Sequence, residues 1–234
     1  MRRIDSQPAL IDRAYECLVE AIADGALAPG RRIRQEELAA MLGVSRQPIS
    51  HALQLLKRQK LVEEIGKQGL TVCRIDAARI RELYQVRTAL DALAARLAAG
   101  RIAEGTAGAA ERRTARRALA TGLALHPNDP VSAFIHADVA FHTALYRLSG
   151  NAAIEETVSS QWPHLKRSMG AVLNDPEQRP LVWAEHGEIL DLVLAGDADG
   201  AEAAASRHTD RAGAETARRI ARAAHSSGET HDAA

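Results

Sequence analysis

The 234 residues exceed one small domain and suit two, and 46% hydrophobic content gives each a core, so neither half reads as disordered. Aromatic residues make up only 3% while alanine is abundant, which points to helices packed through small side chains and away from a β-sandwich. The formal net charge is zero, yet residues 1–74 carry twelve Lys and Arg against nine Asp and Glu, so a basic excess sits at the N-terminal end and an acidic one in the remainder.

In chain order, residues 1–9 read as a loose arm and Leu10–Asp24 as a helix with Ala14, Leu18, Ala21 and Ile22 facing inward. The linker Gly25-x-Leu27-x-Pro29-Gly30-x-x-Ile33 leads to a short helix with Leu38, Ala39 and Leu42 on its apolar face. Gly43 stops that helix, Ser45 is placed to N-cap a second, and Pro48 is tolerated in its first turn. This spacing predicts a helix-turn-helix. On the second helix Ile49, Ala52, Leu53 and Leu56 face inward, leaving Arg46, Gln47, Ser50, His51, Gln54, Lys57 and Arg58 outward. No acid occurs between Glu37 and Glu63, as a phosphate-facing surface requires. An antiparallel helix pair in an all-α domain is the plainer reading. Against it, residues 61–65 and 70–73 read as strands around the turn Gly66-Lys67-Gln68-Gly69, which makes a hairpin wing behind the recognition helix.

Over residues 10–74 this unit, with its stretch GVSRQPISHAL, resembles the GntR family of bacterial winged-helix regulators. The resemblance implies binding to double-stranded DNA at an inverted-repeat operator by a homodimer. Its contacts would come from Arg46, Gln47, Ser50, His51 and Lys57 on the recognition helix and Lys67 and Gln68 at the wing tip. The chain departs from the family pattern SRxPVREAL: Ser50 and His51 stand where Arg and Glu are expected, and RQKLV replaces EGLV. The typical operator of the family is therefore in doubt here.

The expected domains are a winged helix at 1–75, an all-α domain at 76–223 opened by Asp76 as N-cap, and a disordered tail at 224–234. Six helices are expected in the second domain, at about 77–99, 104–124, 130–148, 151–173, 177–195 and 198–223, as an antiparallel bundle. The fold class is thus mainly α with one small β-hairpin. Arg112, Arg113, Arg116 and Arg117 read as a solvated face. Cys17 and Cys73 form no metal or redox motif, and no apolar run is long enough to span a membrane, so a cytoplasmic protein with reduced thiols is expected.

In the second domain Asp138, Phe141, His142, Leu145 and Leu148 share one helical face. His186 lies in line with Trp183, Ile189, Leu190 and Val193, and His208 lies among Ala201, Ala204, Ala205 and Ala212. A single inward histidine is ordinarily a hydrogen-bonded core residue. Burying all four polar groups without partners is costly, and imidazoles with one carboxylate suit zinc, nickel or another divalent ion. The arrangement D-x-x-F-H, then E-H about forty residues on, then a lone His, resembles the FCD domain of FadR-type GntR regulators over residues 76–223. That resemblance implies a divalent metal held by Asp138, His142, His186 and His208, zinc first with nickel or manganese admissible, which helps hold a small carboxylate effector.

Arg87 also falls on a core face, with Asp91 one turn later. An internal Arg87–Asp91 pair is one reading; an arginine that takes the effector carboxylate in two parallel bonds is the other. The expected function is a DNA-binding regulator, a repressor, whose operator affinity a small organic acid controls, and not an enzyme. Two alternatives stay open: a metal-dependent enzyme fused to a DNA-binding domain, or a regulator with a purely structural metal. Against the enzyme, Glu185 should point away from the metal.

Overall fold

The computed structural model describes residues 8–66 and 69–229, which form ten helices and three short strands in two compact units that divide between Ile75 and Asp76. The first unit contains α1 (Pro8–Ala23), α2 (Gln35–Leu42) and α3 (Arg46–Arg58). Ala14, Leu18 and Ile22 of α1 meet Leu38 and Ala39 of α2 and Ile49, Ala52, Leu53 and Leu56 of α3 in one apolar cluster. The helical spacing read from the sequence is what brings these side chains to one side. Gly43 ends α2 at φ 63°, a left-handed conformation that costs a Cβ-bearing residue about 1–2 kcal/mol. Ser45 occupies the N-cap of α3 with extended backbone, but its side chain makes no capping hydrogen bond, so the cap is positional only.

The wing is present as β2 (Val62–Glu64) and β3 (Leu70–Val72), antiparallel with Val62 opposite Val72 and Glu64 opposite Leu70. It has a third strand that the sequence reading did not include. β1 (Arg32–Ile33) pairs with the other edge of β3, Arg32 opposite Thr71, giving the order β1-β3-β2. Two residues are too few to show an alternating pattern.

The second unit consists of α4 (Ala77–Ala103), α5 (Ala109–Leu123), α6 (Val131–Ser149), α7 (Ala152–Ser159), α8 (Trp162–Leu173), α9 (Gln178–Ala195) and α10 (Ala198–Glu229). Asp76 caps α4 as expected, accepting from the Ala78 N–H at 2.9 Å. The expected helix over 151–173 is two helices. Pro163 has no N–H to donate and belongs in a first turn, so the helix restarts at Trp162 after a break at Ser160–Gln161. The chain also stays helical past residue 223, to Glu229, where a disordered tail was expected; the last five residues lie outside the described ones. At the other end helix α1 begins at Pro8, inside the expected loose arm, and residues 1–7 are not described.

Ala95, Ala98 and Ala99 of α4, Phe141, Leu145 and Leu148 of α6, Ile189 and Val193 of α9, and Ala201 and Ala205 of α10 make the second core. Helix α10 lies along α4, and small residues set the distance between them. A Cβ at Gly213 would come within 2.6 Å of the Tyr84 Cβ, so the two backbones approach as closely as glycine permits. Cys17 and Cys73 form no disulfide, and no helix of the described residues is long and apolar enough to cross a membrane.

Candidate metal centre and nucleic-acid interface

Helices α6, α9 and α10 each turn one imidazole into the core of the second unit. His142, His186 and His208 are 1%, 0% and 4% exposed, and each offers a ring nitrogen within 4.8 Å of the other two. The Nε2 atoms of His186 and His208 are 3.1 Å apart. Asp138, one turn before His142 on α6, places Oδ1 3.5 Å from His186 Nε2 and Oδ2 3.9 Å from His142 Nε2. The helical face read from the sequence therefore brings all four side chains together.

Nitrogens and oxygens bound about 2.0–2.2 Å from one tetrahedral ion lie roughly 3–3.5 Å apart, so these separations are close to those of a ligand set. Asp138 Oδ2 and His142 Nε2 are buried without a hydrogen-bond partner among the described residues, a cost that a cation between them would remove. Burial first, then Arg87 and the other imidazoles, push the His142 pKa well below 6.5; burial, His208 and Arg87 do the same to His186. Both rings are thus neutral, the form that ligates metals. Burial raises the Asp138 carboxyl pKa against the pull of Arg87 and His208. The donor set, the geometry and the orphaned atoms all fit a divalent ion.

Outside this cluster lie two carboxylates whose places beside the histidines sequence reasoning missed. Glu185 Oε2 accepts from His208 Nδ1 at 2.7 Å, which leaves the Nε2 lone pair aimed at His186. Glu185 also takes Nε and Nη2 of Arg211 at 2.6 and 2.5 Å. Burial would raise its pKa, but the His208 and Arg211 hydrogen bonds hold it below the usual carboxylate range. It does point away from the centre of the cluster, as its place beside His186 implied. Asp91 Oδ2 lies 3.4 Å from His142 Nδ1 and accepts from Thr209 Oγ1 at 2.7 Å, while Tyr146 donates to Oδ1.

Arg87 is 2% exposed and stands between the two aspartates, with Nε 3.3 Å from Asp91 Oδ2 and Nη2 3.8 Å from Asp138 Oδ2. The Asp91 separation counts as an ion pair, yet Arg87 Nε lacks an aligned hydrogen-bond acceptor. Burial works against its charge, and Asp91 with the neighbouring tyrosines outweighs burial and keeps it protonated. A small cavity of about 30 Å³ opens beside it, bounded by Tyr84, Asp138, His208 and Thr216. Arg87 therefore pairs with Asp91, loosely, as the first of the two sequence readings expects, and it also lines a cavity shared with Asp138 and His208.

On the first unit, Arg46, Gln47, His51 and Lys57 are exposed along α3 and Ser50 is half-buried. A groove of about 630 Å³ runs between α3 and the wing, lined by Ser50, Gln54, Lys57, Arg58, Gly66 and Gly69. Lys67 and Gln68 lie outside the described residues. The acid-free stretch is flanked by acids that fold back on it. Arg46 Nη1 bonds Glu36 Oε1 at 2.7 Å, and Lys57 Nζ bonds Glu64 Oε1 at 2.5 Å. Both pairs are exposed, and such pairs contribute about 0–1 kcal/mol, so phosphates can replace the carboxylates at small cost.

Comparison with known proteins agrees with these two units. Residues 10–72 match the family of bacterial regulatory proteins of the gntR type, and residues 82–211 match the FCD domain. The chain is 35% identical over 187 residues to an HTH-type transcriptional regulator in an unstable DNA locus of Streptomyces ambofaciens, covering 78% of this chain and 74% of that one. It is 23% identical to the transcriptional repressor RspR of Escherichia coli K12, over 83% of each chain. A crystal structure of a GntR regulator from Rhodococcus sp. RHA1 has the same fold, with a TM-score of 0.75 at 24% identity over 89% of this chain and 97% of that one. The chain belongs to the GntR family of transcription regulators, with a winged helix-turn-helix followed by an FCD domain, a family of regulators and not of enzymes.

Proposed function

We propose that the second unit binds one divalent metal ion through His142, His186 and His208 with Asp138, and that a small carboxylate reaching the ion and Arg87 controls how the protein binds its operator. One observation carries this reading: three buried imidazoles converge in the core of the second unit with an orphaned carboxylate oxygen beside them. The ion would act as a Lewis acid toward an anionic ligand. Charge supports an anion. A divalent ion and Arg87 bring three positive charges, and Asp91 and Asp138 bring two negative ones, so one anionic charge completes the buried set. Arg87, with Nε unbonded, would hold that carboxylate, and Glu185 would fix the tautomer of His208. The 30 Å³ cavity has room for about one or two waters, so an effector requires the surrounding helices to move. That displacement is how binding would alter DNA affinity.

Homodimerisation supplies the second half-site. Helix α4 supports it with an outward stripe of Val86 and Leu93, 48% and 40% exposed, and the half-buried Leu90 and Leu97 between and after them. On DNA, Arg46, Gln47, Ser50, His51 and Lys57 would make the contacts, joined by Lys67 and Gln68, which the sequence reading adds from outside the described residues. Ser50, where the family carries arginine, relaxes the preference for guanine at its position. We assign repression as the action, and zinc as the ion, with nickel or manganese next.

The test uses zinc-loaded protein on an operator selected from random duplexes, followed by anisotropy during titration with a panel of short organic acids. At least one acid should release the DNA from wild type and not from Arg87→Met, while both proteins bind the operator equally. Release that is equal in the two, or absent with every acid, contradicts the role given to Arg87 and the effector.

A further inference from the structure

A second cavity, of about 330 Å³, shares no lining residue with the 30 Å³ one. Its walls are apolar: Leu123 and Leu125 at the end of α5, Pro127, Phe134 on α6, and Trp183 on α9. One charged group faces this apolar lining. Arg179 is 7% exposed, and its guanidinium lies 4.1 Å from the centre of the Phe134 ring. Its Nε donates to Leu173 O at 2.8 Å and its Nη1 to Pro127 O at 2.6 Å. These are neutral acceptors. Arg179 makes no ion pair among the described residues, and Nη2 has no partner there; Asp175, the carboxylate that feels its charge, is bonded to Arg219. A buried guanidinium oriented by two carbonyls and lacking a counter-anion is an anion site in the making.

We propose that this cavity is a second small-molecule site, which takes a monocarboxylate with an apolar ring or short chain: the carboxylate on Arg179 Nη2, the apolar body against Leu123, Pro127 and Trp183. Its volume is within the range of pockets that enclose small ligands. The cavity also touches the histidine cluster through one ring. Trp183 meets His186 edge to face, with centroids 4.9 Å apart, and its Nε1 is buried without a partner, so the indole can shift without losing a hydrogen bond. A ligand that moves Trp183 therefore reaches His186 without entering the cluster.

The experiment is calorimetric titration of the full-length, chelator-treated protein with benzoate, phenylacetate and hexanoate, and with phenylacetamide as the uncharged control. At least one acid should bind saturably, and phenylacetamide should bind at least about tenfold more weakly than phenylacetate, the loss expected for one charge-assisted hydrogen bond. Arg179→Met should lose the acid. Because that side chain also ties two carbonyls, Ala184→Phe is the second variant: Ala184 is exposed at the cavity wall, so a ring there should fill the cavity and block binding with the melting temperature unchanged. Arg87→Met should bind as wild type does. Failure of all three acids, equal affinity for acid and amide, or binding lost in Arg87→Met and kept in Ala184→Phe would each overturn the proposal.

Discussion

Glu185 and His208 are joined by a 2.7 Å hydrogen bond that spans two helices and fixes which face of the imidazole looks into the core. With Nδ1–H committed to Glu185, only the Nε2 lone pair of His208 is presented to His186, 3.1 Å away. The relationship turns a pair of adjacent residues on α9, Glu185 and His186, into one ligand and one support.

It follows that Glu185→Gln should weaken metal binding by about 10–100-fold, the usual effect of removing a carboxylate behind a ligating histidine. Competition against a chelating dye measures this. The variant should retain its helical circular dichroism, because Glu185 is only partly buried. Wild-type affinity would remove Glu185 from the site.

The α4–α10 approach makes a prediction opposite in sign to helix propensity. Alanine in place of a mid-helix glycine ordinarily stabilises by about 1 kcal/mol. At Gly213 the added carbon meets the Tyr84 Cβ at 2.6 Å and the ring carbons Cγ and Cδ1 at 2.7 and 2.8 Å, the base of a buried side chain and not a flexible tip. Gly213→Ala should therefore destabilise the second unit by about 1–3 kcal/mol, seen as a lower melting temperature.

Stability should also depend on pH through His142 and His186. Their folded pKa values are well below 6.5, so between the unfolded and folded values the unfolded chain binds more protons. Their contribution is fully present above about 6.5 and is lost as pH falls below it. Asp138, with its raised pKa, has the opposite sign and recovers part of the loss. Metal-free protein should melt at a lower temperature at pH 5.5 than at pH 7.5, roughly one unit either side of the ordinary histidine value. His142→Gln should shrink the difference.

For the DNA interface, the Arg46–Glu36 pair gives a test independent of the metal. Glu36→Gln removes a carboxylate that competes with phosphate for Arg46 and should tighten binding to duplex DNA by roughly two- to fivefold at low salt, the range of a surface ion pair. Arg46→Ala should weaken it, by about 1–3 kcal/mol on a selected operator. Anisotropy across a salt series separates the two.

Much of this architecture was legible because it rests on short-range signals. Gly43, Pro48 and the Ile49-Ala52-Leu53-Leu56 spacing report one turn and one helical face, and helical periodicity placed Asp138, His142, His186 and His208 inward before any fold was known. What the sequence hid depends on partners distant along the chain. The β1 strand exists only because β3 offers an edge, and Glu185 matters only because α10 brings His208 and Arg211 beside it. The break before Pro163 has its signal in the proline itself, but the apolar pattern runs on through it and masks the break. Arg179 carries no signal: nothing in its own helix reveals that it is buried and meets two carbonyls there, with no carboxylate paired to it among the described residues.

The central claim is tested most directly by the zinc content of the full-length protein, purified after metal exposure and gel filtration, measured beside His208→Ala. His208 is the cleaner target because its own helix surrounds it with small residues such as Ala204 and Ala205. The account predicts one equivalent of metal per chain in the wild type and a melting temperature that falls on chelation. His208→Ala should lose most of that metal and melt near the chelated wild type. Full occupancy with unchanged melting in His208→Ala, or no tightly held metal in the wild type, would contradict it.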